Sequence, residues 1–229
     1  MARRYCAIIV VYALCLLAPL TPGFAALSGA LFGSAHSSRV ILYALIFLIA
    51  LVAVLSLLWA ERSLPRAPGA STTEKVLWAC LGLFALYACE FAALMILSIV
   101  TGQPAHLSQH SKNVVDMTNT APVFLFIVAI VGPILEEIIF RKIFFGSLRK
   151  HMRGVPGFFA AAVPSSLVFA VLHMDIPFLL VYFSIGMLLC FVYDRTRRIW
   201  VTMCMHAELN AMALLFSYLL KLQFISLFH

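Results

Sequence analysis

The sequence predicts an all-α, polytopic transmembrane helical bundle of about seven membrane helices (six to eight), and three observations carry that prediction. Of 229 residues, 64% are hydrophobic and only 11% charged, with a mean hydropathy of +1.05, far from the balance of a water-soluble domain. The apolar residues fall in long unbroken runs, most of them near the ~20 residues needed to cross a hydrocarbon core. The basic residues gather in short patches between those runs. Inside a bilayer every backbone polar group must be satisfied within the protein, which leaves helices or closed barrels, and the unbroken runs select helices.

Seven segments follow in order: Tyr5 to about Leu20, Val40 to Trp59, Val76 to Val100, Pro122 to Phe145, Val155 to His173, Pro177 to Tyr193, and Ile199 to Leu220. Trp59, Trp78 and Trp200 stand near the interfaces, where indole rings collect. Pro65, Pro68 and Gly69 mark a linker, and Ser71-Thr72-Thr73-Glu74 reads as the cap of the third helix. The first segment, with Arg3 and Arg4 before it and Pro22-Gly23-Phe24-Ala25 after it, also has the outline of a signal peptide; a retained first helix is the expectation. No internal repeat is visible.

Positive charge should collect on alternate sides of a correctly counted bundle. Arg3/Arg4, Arg62/Arg66/Lys75, Arg149/Lys150/Arg153 and Arg195/Arg197/Arg198 occupy the amino terminus and every second loop, whereas the opposite side holds only Arg39, Lys112 and Lys221. This places the amino terminus in the cytoplasm, and the short chain with basic loops suggests a prokaryotic inner membrane. The net charge of +7 is thus a topology signal, and no nucleic-acid partner is expected. The six cysteines (Cys6, Cys15, Cys80, Cys89, Cys190, Cys204) show no CxxC pair or zinc-knuckle spacing and read as packing residues.

The fourth segment carries two adjacent acids, Glu136 and Glu137, in a span that should tolerate almost none, and buried ionisable residues of this kind are functional candidates. On a helix Glu137 and Arg141 are four apart and share a face, while Glu136 points about 100° away. One acid is then held by the arginine and the other faces a cavity; a purely structural ion-pair network is the competing reading. The fifth segment ends in Phe169-Ala-Val-Leu-His173, and the seventh holds His206-Ala-Glu-Leu-Asn210, whose spacing puts His206 and Asn210 on one face. A lone histidine in an apolar helix is usually a satisfied core residue. Two histidines, an asparagine and paired acids on three helices of so apolar a chain argue for chemistry.

Glu136-Glu137-x-x-x-Arg141, Phe169-x-x-x-His173 and His206-x-x-x-Asn210 resemble, in order, the three motifs of the CPBP family, also called Abi, which contains the CAAX prenyl endopeptidases and bacteriocin-processing relatives. Gly132-Pro133 and Phe140 fit the same pattern. The resemblance covers roughly 121–215 and implies a catalytic helical core there, with 1–120 as subgroup-specific amino-terminal helices and 216–229 as a short tail.

It further implies peptide-bond hydrolysis in the membrane, on a membrane-associated peptide or protein, as in protein or peptide maturation. Glu136 is then the general base, with His173 orienting or deprotonating the same water. His206 and Asn210 donate to the developing oxyanion, and Glu137 with Arg141 support the site. No cofactor is required on this reading. The alternative is a zinc-dependent peptidase with Glu136, His173 and His206 as ligands; against it, the chain lacks the His-Glu-x-x-His helix of zincins. A proton-coupled transporter and a non-catalytic membrane scaffold are the competing functions. Glu90 reads as a partner of a bundle polar group or as part of a cavity wall, Glu208 as a support of the site. The sequence assigns neither an oligomeric state nor a substrate. Hydropathy also places His206 in the cytoplasmic half of its helix and His173 near the outer end of its own, so convergence requires tilt, a late start of the fifth helix, or a break at Pro164-Ser165-Ser166.

Overall fold

The structure, a computed structural model, describes residues 2–33, 35–61, 68–103 and 108–227. Arg62, Pro65 and Arg66 of the expected linker lie outside the described residues, as does the side chain of Lys221. Among the described residues there is no strand, and seven helices are long and apolar enough to cross a membrane: Ala2–Leu20, His36–Glu61, Thr72–Thr101, Val123–Arg149, Gly154–Leu172, Ile176–Thr196 and Ile199–Leu219. The protein is an all-α polytopic membrane protein, and the seven expected segments each fall within one of these spans or within a residue of its end.

The helices are α1 (Ala2–Leu17), α2 (Pro22–Phe32), α3 (His36–Leu58), α4 (Thr72–Thr101), α5 (Gln109–Thr120), α6 (Val123–Arg149), α7 (Gly154–Leu172), α8 (Leu179–Thr196) and α9 (Ile199–Leu227). Two were not legible in the sequence. The short apolar α2 follows the Pro22-Gly23 stretch, with Pro22 at its first position, where its missing N–H costs nothing. The polar, amphipathic α5 precedes the fourth span. The expected cap of α4 is present: the Ser71 hydroxyl accepts the Glu74 amide at 3.1 Å. All six cysteines are free; Cys15 and Cys190 are buried, whereas Cys6, Cys80 and Cys204 are exposed, so packing accounts for only some of them.

The chain packs as two units. The first comprises 1–66, 114–135 and 214–229, and the second 67–113 and 136–213. In the first, α1 and α2 pack on α3, and Tyr43 of α3 gathers Phe24, Phe47 and Phe124 around its ring. The second is built on α8, which packs against both α4 and α7. Close approach depends on two glycines. A Cβ at Gly186 would stand 2.9 Å from Ser166 Cβ, and one at Gly82 would collide with the Met205 side chain, so helix axes come together here as small residues allow in membranes. Large apolar side chains such as Phe84, Phe91 and Ile99 point outward from the spans, as a lipid solvent requires.

Helix α6 is not a uniform α-helix. It widens into π-helix at Ile127–Val131 and again at Ile138–Phe145. The first widening directly precedes Gly132-Pro133, where proline removes an N–H and crowds the preceding turn. The second begins right after the paired acids. There Ser165 of α7 donates its hydroxyl to the Phe140 carbonyl at 2.8 Å. Such π-turns occur often at functional sites.

Candidate active site

Every expected polar residue of the site lies in the second unit, on three helices. Glu137 and Arg141 of α6 are fully buried and pair at 2.9 Å, Oε1 to Nη1. Geometry keeps this contact an ion pair: no nitrogen of the guanidinium has an aligned hydrogen-bond acceptor. Aromatic faces supply the rest of its surroundings, with Arg141 Cζ 4.4 Å from the Phe169 ring centroid and 5.9 Å from that of Phe140. Glu136 has the opposite setting, its side chain 23% exposed against 0% for Glu137. The adjacent acids therefore have separate environments.

His206 of α9 meets both. Its Nδ1–H donates to Glu137 Oε1 at 3.0 Å, the same oxygen that Arg141 approaches, and its Nε2 faces Glu136 Oε2 at 3.6 Å. A carboxylate on one imidazole nitrogen fixes the ring's orientation, here with Nε2 turned toward Glu136. Asn210 lies one turn further along α9, half-buried on the same face as His206.

His173 stands apart from this triad, in contact with it through one aromatic ring. Phe169, a turn earlier on α7, is 4.6 Å from the His173 ring and 5.8 Å from the His206 ring, centroid to centroid. The depth mismatch expected from hydropathy is thus bridged by a side chain. Helix α7 runs unbroken through Pro164 and starts at Gly154, so neither a break nor a late start supplies the convergence. The His173 Nδ1–H donates to the Phe169 carbonyl at 2.8 Å, and a carbonyl only accepts, so Nε2 carries the lone pair. Burial holds the imidazole below its usual range, and neighbouring His110 adds to that effect.

Four residues here escaped sequence reasoning. Tyr182 of α8 stacks on His173, centroids 4.1 Å apart and planes at 21°. His110 of α5 meets the His173 ring at 5.0 Å. Asp175 accepts the His110 backbone N–H at 3.1 Å, across a turn in which Met174 takes a left-handed φ of 54°. Ser165 holds the π-turn of α6. Only Asp175 had a sequence signal, an acid two residues from His173 in a chain with nine acids in all. Glu90 acts electrostatically on Tyr182 of α8 and on Tyr87 of its own helix, and among the described residues Glu208 Oε2 is buried without a hydrogen-bond partner.

Among the described residues no three His, Cys, Asp or Glu side chains converge closely enough to hold a metal ion. Glu136 and His206 approach one another at 3.6 Å, whereas His173 packs flat on Tyr182, with Phe169 against both histidine rings. The donor set proposed for zinc does not fit this arrangement.

The fold and this cluster define an integral membrane protein whose polar centre is assembled from three spanning helices. Residues 118–212, which hold all six expected site residues, match the family described as type II CAAX prenyl endopeptidase Rce1-like. Over that segment the chain is similar to this family. It is 36% identical over 166 residues to a Bacillus subtilis protein named as a membrane peptidase, YdiL, covering 72% of this chain and 66% of the relative. It is 32% identical over 144 residues to the Staphylococcus aureus membrane-embedded CAAX protease MroQ, covering 62% of this chain and 58% of the relative. The chain thus spans just under two thirds of the length of one and somewhat less of the other. No solved structure matches it significantly.

Proposed function

We propose that this protein is an intramembrane endopeptidase that hydrolyses a peptide bond in a membrane-associated peptide or protein, with a glutamate-activated water. Similarity to the CAAX endopeptidase-like family over residues 118–212 and the names of its two bacterial relatives support peptide hydrolysis. The single observation that carries the mechanism is the division of the two acids, Glu137 locked to Arg141 and His206 while Glu136 remains partly open.

Glu136 takes a proton from water as the water oxygen attacks the scissile carbonyl carbon. The lone pair on His173 Nε2 accepts a hydrogen bond from the same water and orients it. Charge that develops on the carbonyl oxygen is met by the Nε2–H of His206 and the Asn210 side-chain amide. The proton held by Glu136 passes to the leaving nitrogen as the C–N bond breaks, which restores the carboxylate. Glu137 and Arg141 hold His206 in place and take no proton.

No step requires a metal or cofactor. Chelator treatment should leave turnover unchanged; loss on chelation with recovery by zinc would overturn the glutamate mechanism. The proposal does not include a prenylated substrate. The amino terminus is cytoplasmic, supported by the basic patches at Arg3/Arg4, Arg149/Lys150/Arg153 and Arg195/Arg197/Arg198, and the bacterial relatives favour a cell membrane location. The test in cells compares membrane peptides in a strain carrying wild type and one carrying Glu136→Gln. Uncleaved precursors should accumulate only with the variant, at equal protein level. Identical peptide profiles would contradict the proposal.

A further inference from the structure

The amino end of α5 lies outside the segment matched to the family. Three contacts fasten it to the chain that carries His173. The Asp175 carboxylate accepts the His110 backbone N–H at 3.1 Å. The Ser108 hydroxyl is 2.9 Å from the Tyr182 hydroxyl and also accepts the Ser111 N–H at 2.9 Å. The His110 ring packs its edge against both His173, at 5.0 Å, and Tyr182, at 6.0 Å. With Tyr182 stacked on one side and Phe169 against it on another, His173 is enclosed by three rings, of which only His110 can take a charge near neutral pH.

We propose that His110 is a positioning residue for His173: packed at 5.0 Å from it, His110 keeps the His173 imidazole uncharged and its Nε2 lone pair available to the water. The inference rests on the role proposed for His173 in peptide hydrolysis. Two imidazoles this close resist being cationic together. At about 5 Å and an effective dielectric of about 20, one charge displaces the neighbour's titration by roughly one pH unit or more. Facing them are Glu136 and Arg141 from α6, His206 from α9, and Asp175 and Tyr182 from the turn after α7 and from α8. Glu90 of α4 faces Tyr182. Burial leaves the proton affinity of His110 below its ordinary value, and Glu136 and Asp175 offset only part of that loss, so the charge His110 sets against His173 arises on the acid side.

The test is a histidine titration by 15N NMR of the full-length protein in lipid nanodiscs, with the His173 resonance assigned through His173→Gln, alongside the pH profile of peptide turnover. In the wild type, His173 should stay in the neutral Nδ1–H form into the acid range, coupled to the titration of His110. In His110→Phe, which keeps a ring at the site, and in His110→Gln, the His173 midpoint should rise by about one pH unit or more. The acidic limb of kcat should move up with it while KM stays unchanged. An unchanged His173 midpoint in either folded variant overturns the assignment, as does a wild-type pair that titrates independently near ordinary histidine values. Because the NMR readout needs no turnover, an absence of peptidase activity is distinguishable from failure of the His110 role.

Discussion

Removing one charge from the buried Glu137–Arg141 pair should cost far more than removing both. Each side chain has zero exposure, they meet at 2.9 Å, and Arg141 has no other aligned acceptor. Glu137→Gln leaves a guanidinium buried with only the Phe169 and Phe140 faces, at 4.4 and 5.9 Å, to receive it; those contribute about 2 kcal/mol at most. Arg141→Met leaves the Glu137 carboxylate with His206 and the Thr202 hydroxyl but no fixed cation. Each single change should therefore cost about 3–5 kcal/mol, which at roughly 2–4 °C per kcal/mol for a chain of this size lowers the unfolding midpoint by about 6–20 °C. The double variant Glu137→Gln/Arg141→Met buries no unpaired charge and should recover most of that loss. Turnover should not recover with it, since the amide that replaces the Glu137 carboxylate no longer holds the His206 ring through Nδ1. Thermal unfolding in detergent and peptide turnover, measured on all four proteins, give the double-mutant cycle. Additive single effects, or single effects below about 1 kcal/mol, would refute the reasoning.

The remaining predictions concern single groups. Ser165→Ala removes the hydroxyl that donates to the Phe140 carbonyl and should cost about 1 kcal/mol of stability; an unchanged unfolding midpoint would show that the hydroxyl does not hold the π-turn. Asn210→Ala should lower kcat by about 10²–10³-fold with KM little changed, the loss typical of one oxyanion donor, and a change confined to KM would assign Asn210 to substrate binding instead. His173 sets an acid-side stability slope. Its native proton affinity is depressed from the ordinary value of 6.5, so below that pH the unfolded chain takes up a proton that the native state refuses. Stability contributed in this way is complete above pH 6.5 and falls as pH drops below it. His173→Gln should flatten that slope in unfolding scans, and an equally steep slope in the variant would contradict it.

The helical bundle was legible because the bilayer imposes a length and an unbroken apolar composition on each span, and those properties survive in the one-dimensional sequence. The Glu137–Arg141 pairing was legible for a related reason: four-residue spacing is local geometry. His110, Tyr182 and Ser165 were not legible. His110 and Ser165 act through contacts between helices far apart in sequence, Tyr182 meets His173 across the turn that joins α7 to α8, and His110 sits in a polar stretch outside the apolar runs. The π-turns of α6 also escaped, since Pro133 announces a local disturbance without saying whether the helix will kink, break or widen. Helix α7 shows the converse error. Pro164-Ser165-Ser166 offered a place to break, yet the helix continues, with Ser165 bonded to α6 and Ser166 packed under Gly186.

The claim that Glu136 activates water for peptide hydrolysis is tested most directly by isotope transfer. Purified protein reconstituted in liposomes is supplied with extracted membrane peptides in H₂¹⁸O, and products are read by mass spectrometry. Wild type should place one ¹⁸O in each newly formed carboxyl terminus, and Glu136→Gln, folded and inserted equally well, should release no labelled product. Labelled product at the wild-type rate from Glu136→Gln, or proton-driven uptake by the wild type with no cleavage, would contradict it.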